Sequence, residues 1–343
     1  MELFTNETYI DKIAVHHIGN PTLDETLTLS EKLLSLDEDT KSTLNDYFLN
    51  GFRSEIFYRF QEGGNGLSSS VNEAFEDAEA FLPCSVKFAQ QLYDITNLPQ
   101  IKLGDFYTVL FKNCQYNGQP TNALGLFKVE NSEAFFNVNY QQEHIDLQLF
   151  SGFSLRKPDK GCLVLNLEKE AGYCISVFDS ASRGAEARFW IDHFLQLTQK
   201  ENDYFNTQQA ISLCKDYITK ELPKNFEVQK ADQIDLLNRS MSFFKENTQF
   251  DMEEFSKEVI AQPEVIDNFQ SYKENIQREK EVVIPQRFDL SAPAIKKEAR
   301  VFKSVIKLDK NFHIYVHGNR ELIEQGTDEN GRKFYKIFYR EEN

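Results

Sequence analysis

No apolar run in this 343-residue sequence approaches the length needed to cross a bilayer, and its opening residues, Met1 to Thr8, have neither the basic start nor the apolar centre of a secretory signal. A soluble, cytoplasmic protein with no membrane partner is the expectation. Tryptophan occurs once, as Trp190, and methionine three times, against thirty phenylalanines and fourteen tyrosines. Cores built on Phe and sheet faces decorated by Tyr follow from that balance. The five cysteines, Cys84, Cys114, Cys162, Cys174 and Cys214, are odd in number, widely spaced and set in apolar surroundings. Buried reduced thiols fit this better than a disulfide framework or a zinc knuckle.

Catalytic signatures are missing too. No Ser-His-Asp order or nucleophile elbow is present. Gly63-Gly64-Asn65-Gly66 invites a phosphate-loop reading, but it follows a helix and lacks the trailing Lys-Ser or Lys-Thr that reaches phosphate and magnesium; a mobile connector is expected there. His16 and His17 alternate faces of a strand, His313 and His317 share a face if their strand is regular, and His193 neighbours an apolar stripe as a partly buried side chain. None has a third ligand at familiar spacing, so no metal and no cofactor is expected. The one acidic residue two positions before a lysine, in Asp39-Thr40-Lys41, lies in an acidic stretch before a helix, which is the wrong context for a metal-dependent nuclease. An unrecognised enzyme is therefore the weakest of three readings.

What the sequence does have is uneven charge. The formal net charge is −16, and residues 1 to 80 hold 16 acidic against 5 basic side chains. That region should repel phosphates and suit a basic protein partner. Residues 292 to 310 form the one basic island, with Lys296, Lys297, Arg300, Lys303, Lys307 and Lys310 against Glu298 and Asp309. It reads as a nucleic-acid contact or as a strand edge guarded by lysines. Arg183 and Arg188 flank the start of a helix whose N–H groups could add to an anion site; the alternative is a surface ion pair with Glu186 or Asp192.

Hydrophobic periodicity gives an α+β chain. Asp11 to Ile18 reads as a first strand. Leu44, Phe48, Phe52, Ile56 and Phe60 recur at four-residue steps, predicting one long helix, and shorter helices follow near 71–81 and 83–95. From Gly104 the period is two: 106–116, 121–129, 134–140, 145–153, 161–167 and 173–178 are six strands of an antiparallel meander, with Asn117-Gly118 as a hairpin turn. The stretch Ser176 to Leu197 is the joint, opening a helix whose stripe is Ala187, Trp190 or Ile191, Phe194 and Leu197. Helices continue over 204–222, 234–244, from Asp251 to before Pro263, and 263–280. Strands return at 301–308, 312–316 and 333–339. The expected domains are an α+β part with flanking helices over 1–180, a helical region over 181–284 and a small β-rich C-terminal part over 285–343.

The segments Lys12–Ile18, Gly104–Phe111 leading into Ala123–Lys128, Arg183-Gly184 through Asp192-His193-Phe194-Leu195, and Asp251–Val259 follow in the order of landmarks of the bacterial nucleoid-associated protein family of the YejK or NdpA type, which this chain resembles from about residue 9 to its C-terminal strands. The resemblance implies a non-enzymatic, cytoplasmic protein found with the nucleoid. It raises DNA and type II topoisomerases as expected partners and brings no contact residues with it. Lys296, Lys297, Arg300 and Lys303, then Arg183 and Arg188, are the expected nucleic-acid contacts. The alternative is a regulatory module docking its acidic face on a basic partner such as a topoisomerase. A homodimer is left open.

Overall fold

The computed structural model describes residues 3–4, 7–64, 66–141, 144–180, 188–280, 282–299, 305–308, 311–316 and 322–341. Its contacts divide the chain into two units, 1–200 and 201–343, and the boundaries expected at 180 and 284 fall inside them.

In the first unit, strands β1 (Leu3–Phe4), β2 (Tyr9–Ile18), β3 (Phe57–Phe60), β4 (Gly104–Tyr116), β5 (Gln119–Val129), β8 (Lys160–Leu165), β9 (Cys174–Asp179) and β10 (Leu197–Gln199) form one eight-stranded sheet in the order β1-β4-β5-β8-β9-β3-β10, with β2 also on β4. Every pairing is antiparallel. Asn117 and Gly118 both take positive φ, 49° and 76°, as the tight hairpin between β4 and β5 requires. Between β5 and β8 the chain leaves the sheet to form a separate hairpin, β6 (Glu133–Gln141) with β7 (His144–Gly152).

Alternation splits the sheet's side chains into two cores. Phe106 and Leu110 of β4, Leu124 and Leu126 of β5, Cys162 and Val164 of β8 and Ile175 and Val177 of β9 face helices α2 (Leu67–Glu76) and α3 (Phe81–Ile95). The intervening Val109, Phe111, Ala123, Phe127, Leu163, Leu165 and Cys174 face α1 (Glu38–Leu49), whose Tyr47, Phe48 and Leu49 are buried against them. The sheet is thus covered on both sides, which is why its strands read as nearly continuous apolar runs. All five cysteines are buried and unpaired.

The long helix expected from Leu44 to Phe60 is two elements. Asp37 caps α1 by accepting the Thr40 N–H at 2.7 Å, and the helix stops at Leu49. A Cβ on Gly51 would lie 2.1 Å from the Phe178 ring, so the chain passes too close to β9 for any other residue. Phe52 then meets Phe178 edge-on at 4.9 Å, and Phe57–Phe60 joins the sheet as β3. A four-residue apolar spacing satisfied both a helix face and a helix-turn-strand.

At the joint, Phe189–Leu195 forms a π-helical segment. Trp190 and Phe194 are fully buried, with ring centroids 5.0 Å apart, and Phe194 meets Phe106 of β4 edge-on at 6.0 Å. Leu197 belongs to β10. Ala187 lies outside the described residues, and His193, expected partly buried, faces solvent. The Trp190 indole N–H has no hydrogen-bond partner among the described residues, so its contribution is packing.

Where β5, β8 and β9 end together, charge is buried. Lys128, Lys160 and Asp179 are cross-strand neighbours in one row. Glu130 lies between the lysines, 3.0 Å from Lys128 Nζ and 3.3 Å from Lys160 Nζ, while Lys160 also reaches Asp179 at 3.4 Å and Lys128 donates to the Lys102 carbonyl at 2.6 Å. Burial pulls the Lys128 ammonium below its ordinary range, and Glu130 opposes that pull.

The second unit is built on phenylalanine. Helices α4 (Asp203–Asp216), continued through Tyr217–Glu221 and Leu222–Asn225, α5 (Lys230–Glu246), α6 (Met252–Phe255), α7 (Pro263–Lys280) and α8 (Ala292–Ala299) enclose Phe243, Phe244, Phe250, Phe255, Phe269 and Phe288. Phe244 and Phe250 stack with centroids 5.4 Å apart. Asp251 caps α6 by accepting the N–H groups of Glu253 and Glu254, as its sequence context indicates. Among the described residues the unit also holds three two-stranded ladders: β11 (Gln249–Asp251) with β12 (Arg287–Asp289), β13 (Val305–Leu308) with β14 (Phe312–Tyr315), and β15 (Ile323–Thr327) with β16 (Lys333–Ile337).

Trp190→Ala should lower stability by roughly 3–5 kcal/mol in urea denaturation followed by circular dichroism, with Trp190→Phe costing clearly less because it also removes the unpartnered N–H. Glu130→Gln, which takes from Lys128 its carboxylate partner and leaves Lys160 to Asp179, should cost about 3–5 kcal/mol by the same measurement; a loss below about 1 kcal/mol would show that Asp179 and the Lys102 carbonyl suffice.

Candidate nucleic-acid interface

The basic island begins on a helix. Ser291 precedes α8, its N–H donating to Thr207 Oγ1 at 3.0 Å and its carbonyl accepting from the Ile295 N–H at 3.0 Å. Ala294 and Ile295 are buried, which turns Lys296 and Lys297 outward to solvent. Two adjacent lysines on a helix diverge by about 100°, so they present a broad positive ridge instead of one point charge. Neither forms an ion pair among the described residues. Lys297 Nζ stands 6.0 Å from the centre of the Tyr204 ring, and the neighbouring Glu298 is held by Gln208 Nε2 at 2.9 Å. The strand-edge reading fails for these two lysines, because both lie on α8. Arg300, Lys303 and Lys310 lie outside the described residues.

Arg188 belongs to the first unit. Its Nε donates to Asp192 Oδ2 at 3.0 Å, one helical turn on, with the arginine side chain 78% exposed. This is the local ion pair that competed with an anion site in the sequence. Arg183 lies outside the described residues. The six candidates therefore reduce to two unpaired lysines on α8 and one paired arginine in the other unit.

The acidic quarter is a surface. Glu31, Asp37, Glu38, Asp39, Asp46 and Glu62 are all exposed. Hydrogen bonds from the Thr40 backbone and side chain hold the Asp37 carboxyl below its usual range, so it stays charged. The glycine-rich loop borders a cavity of about 430 Å³ lined by Gly63, Gly66, Ser68, Asn72, Lys169 and Tyr173. Gly63 and Gly66 take φ of 67° and 84°, and Asn65 lies outside the described residues. Lys169, the cavity's cation, is 2.5 Å from Glu76, and the Tyr173 hydroxyl donates to Asn72 Oδ1 at 3.1 Å. With its positive charge neutralised, the cavity lacks the electrostatics of a phosphate loop.

Against known families, the sequence matches the one described as nucleoid-associated protein YejK over residues 14–333. The chain belongs to the nucleoid-associated protein YejK family. No curated protein matches it. The YejK match takes in nearly the whole eight-stranded sheet, the β6–β7 hairpin and α8 with Lys296 and Lys297, and it supports a nucleoid-associated role. Among the described residues of this YejK-family chain, no three His, Cys, Asp or Glu side chains stand close enough together to hold a metal ion, and no helix is long and apolar enough to cross a membrane.

Sequence spacing could not tell the two histidines of β2 apart in role, and the structure does. His17 Nδ1 pairs with Asp105 Oδ1 at 2.9 Å on the surface. His16 is buried: the Ser30 N–H donates to its Nδ1 at 3.1 Å, and its Nε2 stands 3.0 Å from Ser85 Oγ, whose own proton goes to the Leu82 carbonyl at 2.7 Å. That network fits the neutral ring with the proton on Nε2, and burial lowers the His16 pKa from its ordinary 6.5. Because the unfolded chain then binds the proton more readily than the folded one, His16 contributes stability that is full above its ordinary value and is lost as the pH falls below it. Urea denaturation from about pH 7.5 to about 5.5 should show stability falling on acidification, with a flatter slope in His16→Asn.

Proposed function

We propose that this chain is a non-enzymatic, cytoplasmic nucleoid protein that touches DNA locally through α8 and does not coat it. The observation that carries the reading is the pair Lys296 and Lys297, exposed and free of ion pairs among the described residues, in a chain of net charge −16. A protein that wraps DNA needs a continuous positive surface, since affinity scales with the phosphates neutralised. Here the positive ridge is short, and Arg300 and Lys303 extend it in sequence. The thiols support the non-enzymatic part: burial pushes Cys84 and Cys114 up to about 11, far from a reactive thiolate.

A second reading rests on the exposed acids of residues 31–62. They form a negative surface suited to a basic partner bound to the chromosome, such as a type II topoisomerase. A pull-down from nuclease-treated lysate separates the two, because a protein partner survives loss of DNA.

In a fluorescence-anisotropy titration on a short duplex, affinity should fall steeply with added salt. Lys296→Glu with Lys297→Glu should weaken binding by about tenfold or more and reduce the salt slope by roughly two, one for each lost phosphate contact. Arg188→Glu should leave it unchanged, because Arg188 is already matched by Asp192. Undiminished binding by the double lysine variant would overturn the assignment to α8.

A further inference from the structure

The β6–β7 hairpin is a two-stranded ribbon that pairs with no other strand among the described residues. Its register places Phe136 opposite Leu149, Val138 opposite Leu147 and Tyr140 opposite Ile145. These positions alternate by two along each strand, so all six side chains project from one face. They are exposed by 65, 66, 40, 62, 78 and 64%, in the order of those pairs. The other face is different: Phe135 and Phe150 stack at 5.9 Å near the base, and beyond them come Asn137 opposite Gln148 and Asn139 opposite Asp146.

An isolated hairpin is marginally stable in water, and a contiguous apolar face of this kind is rare on a monomer. At about 150–250 Å² for an aromatic side chain and less for an aliphatic one, six exposed to this degree offer on the order of 600 Å² of largely apolar surface. That is close to the ~800 Å² that each partner contributes to a stable interface.

Charge selects the occupant. Residues 133–152 contain no lysine or arginine and include Glu133, Glu143 and Asp146. Nucleic acid and anionic lipid both need a basic contact that this arm does not have. A second copy of the chain offers an apolar face identical in size, with Asp146 on the opposite side of the ribbon, and a two-fold axis sets the two faces against each other as one isologous contact.

We propose that β6–β7 is a dimerisation arm, in which the Phe136, Val138, Tyr140, Ile145, Leu147 and Leu149 faces of two copies pack together across a two-fold axis. The arm projects from between β5 and β8, so pairing it requires no change in the sheet. The dimer forms without DNA and is independent of the lysines of α8.

The test is the mass of the full-length protein by sedimentation at micromolar concentration without DNA. Wild type should sediment as a dimer. Leu147→Glu with Leu149→Glu should halve the mass while leaving the circular dichroism melting of the rest of the chain intact. Because that variant could also unravel the hairpin, cysteine crosslinking gives a separate reading; the native cysteines are buried. Leu147→Cys should crosslink between chains with a short bifunctional reagent, and Gln148→Cys, on the opposite face, should not. A monomeric wild type, a dimer that survives the double glutamate variant, or equal crosslinking from both faces would each overturn the proposal.

Discussion

The charges buried where β5, β8 and β9 end together constrain much of the first unit. Lys128 and Lys160 face each other across the ladder, an arrangement that would be repulsive if Glu130 did not reach between them and Asp179 did not take the outer side of Lys160. Two ammonium groups so deeply buried are tolerable only when this geometry is met. The chain leaves the sheet at Glu130 and returns at Asp159, and the Asp159 carboxylate accepts the N–H groups of Glu130 and Asn131 at 2.7 and 3.1 Å. The same residue's carbonyl accepts from the Ser180 N–H at 2.9 Å. One knot of charge therefore closes the end of three central strands, anchors the root of the β6–β7 arm and fixes where the chain departs toward Trp190.

The rest of the unit is organised by covering both faces of an antiparallel sheet. Small residues make this possible where rings crowd. A Cβ at Gly161 would lie 2.4 Å from the Phe178 ring and one at Gly125 would lie 2.4 Å from Phe127, so the aromatic layer under α1 fits because these strand positions carry no side chain. The second unit meets the same shortage of methionine and tryptophan differently, by clustering phenylalanines between helices.

Much of the fold was legible because strand patterning, caps and turns acted locally. All six strands between 104 and 179 were placed to within a few residues, as was Asp251 as a helix start. The helix drawn through Phe52 to Phe60 was not, because what ends α1 is the Phe178 ring, more than a hundred residues away. The arm is hidden in the sequence for a related reason: β6 and β7 alternate like strands of the sheet, and only the register of β5 with β8 shows that they stand apart. Lys128 and Lys160 looked like ordinary polar strand ends, since a buried ion group has no spacing of its own. Of the interface, the exposure of Lys296 and Lys297 could be anticipated from charge, but their helix could not be told from the strand that follows it. Arg188 showed its partner, Asp192, four residues on.

The lone tryptophan has one more consequence. Trp190 sits at the π-helical joint of the first unit, sealed from solvent against Phe194, and residues 201–343 contain no tryptophan at all. Nature has thus placed a single spectroscopic reporter in one half of the molecule. The indole emission of this protein should be that of an apolar environment, shifting to the red when the sheet and the joint come apart. It gives no direct signal from the phenylalanine core that carries α8, so melting followed by tryptophan light and melting followed by backbone ellipticity watch different parts of the same chain.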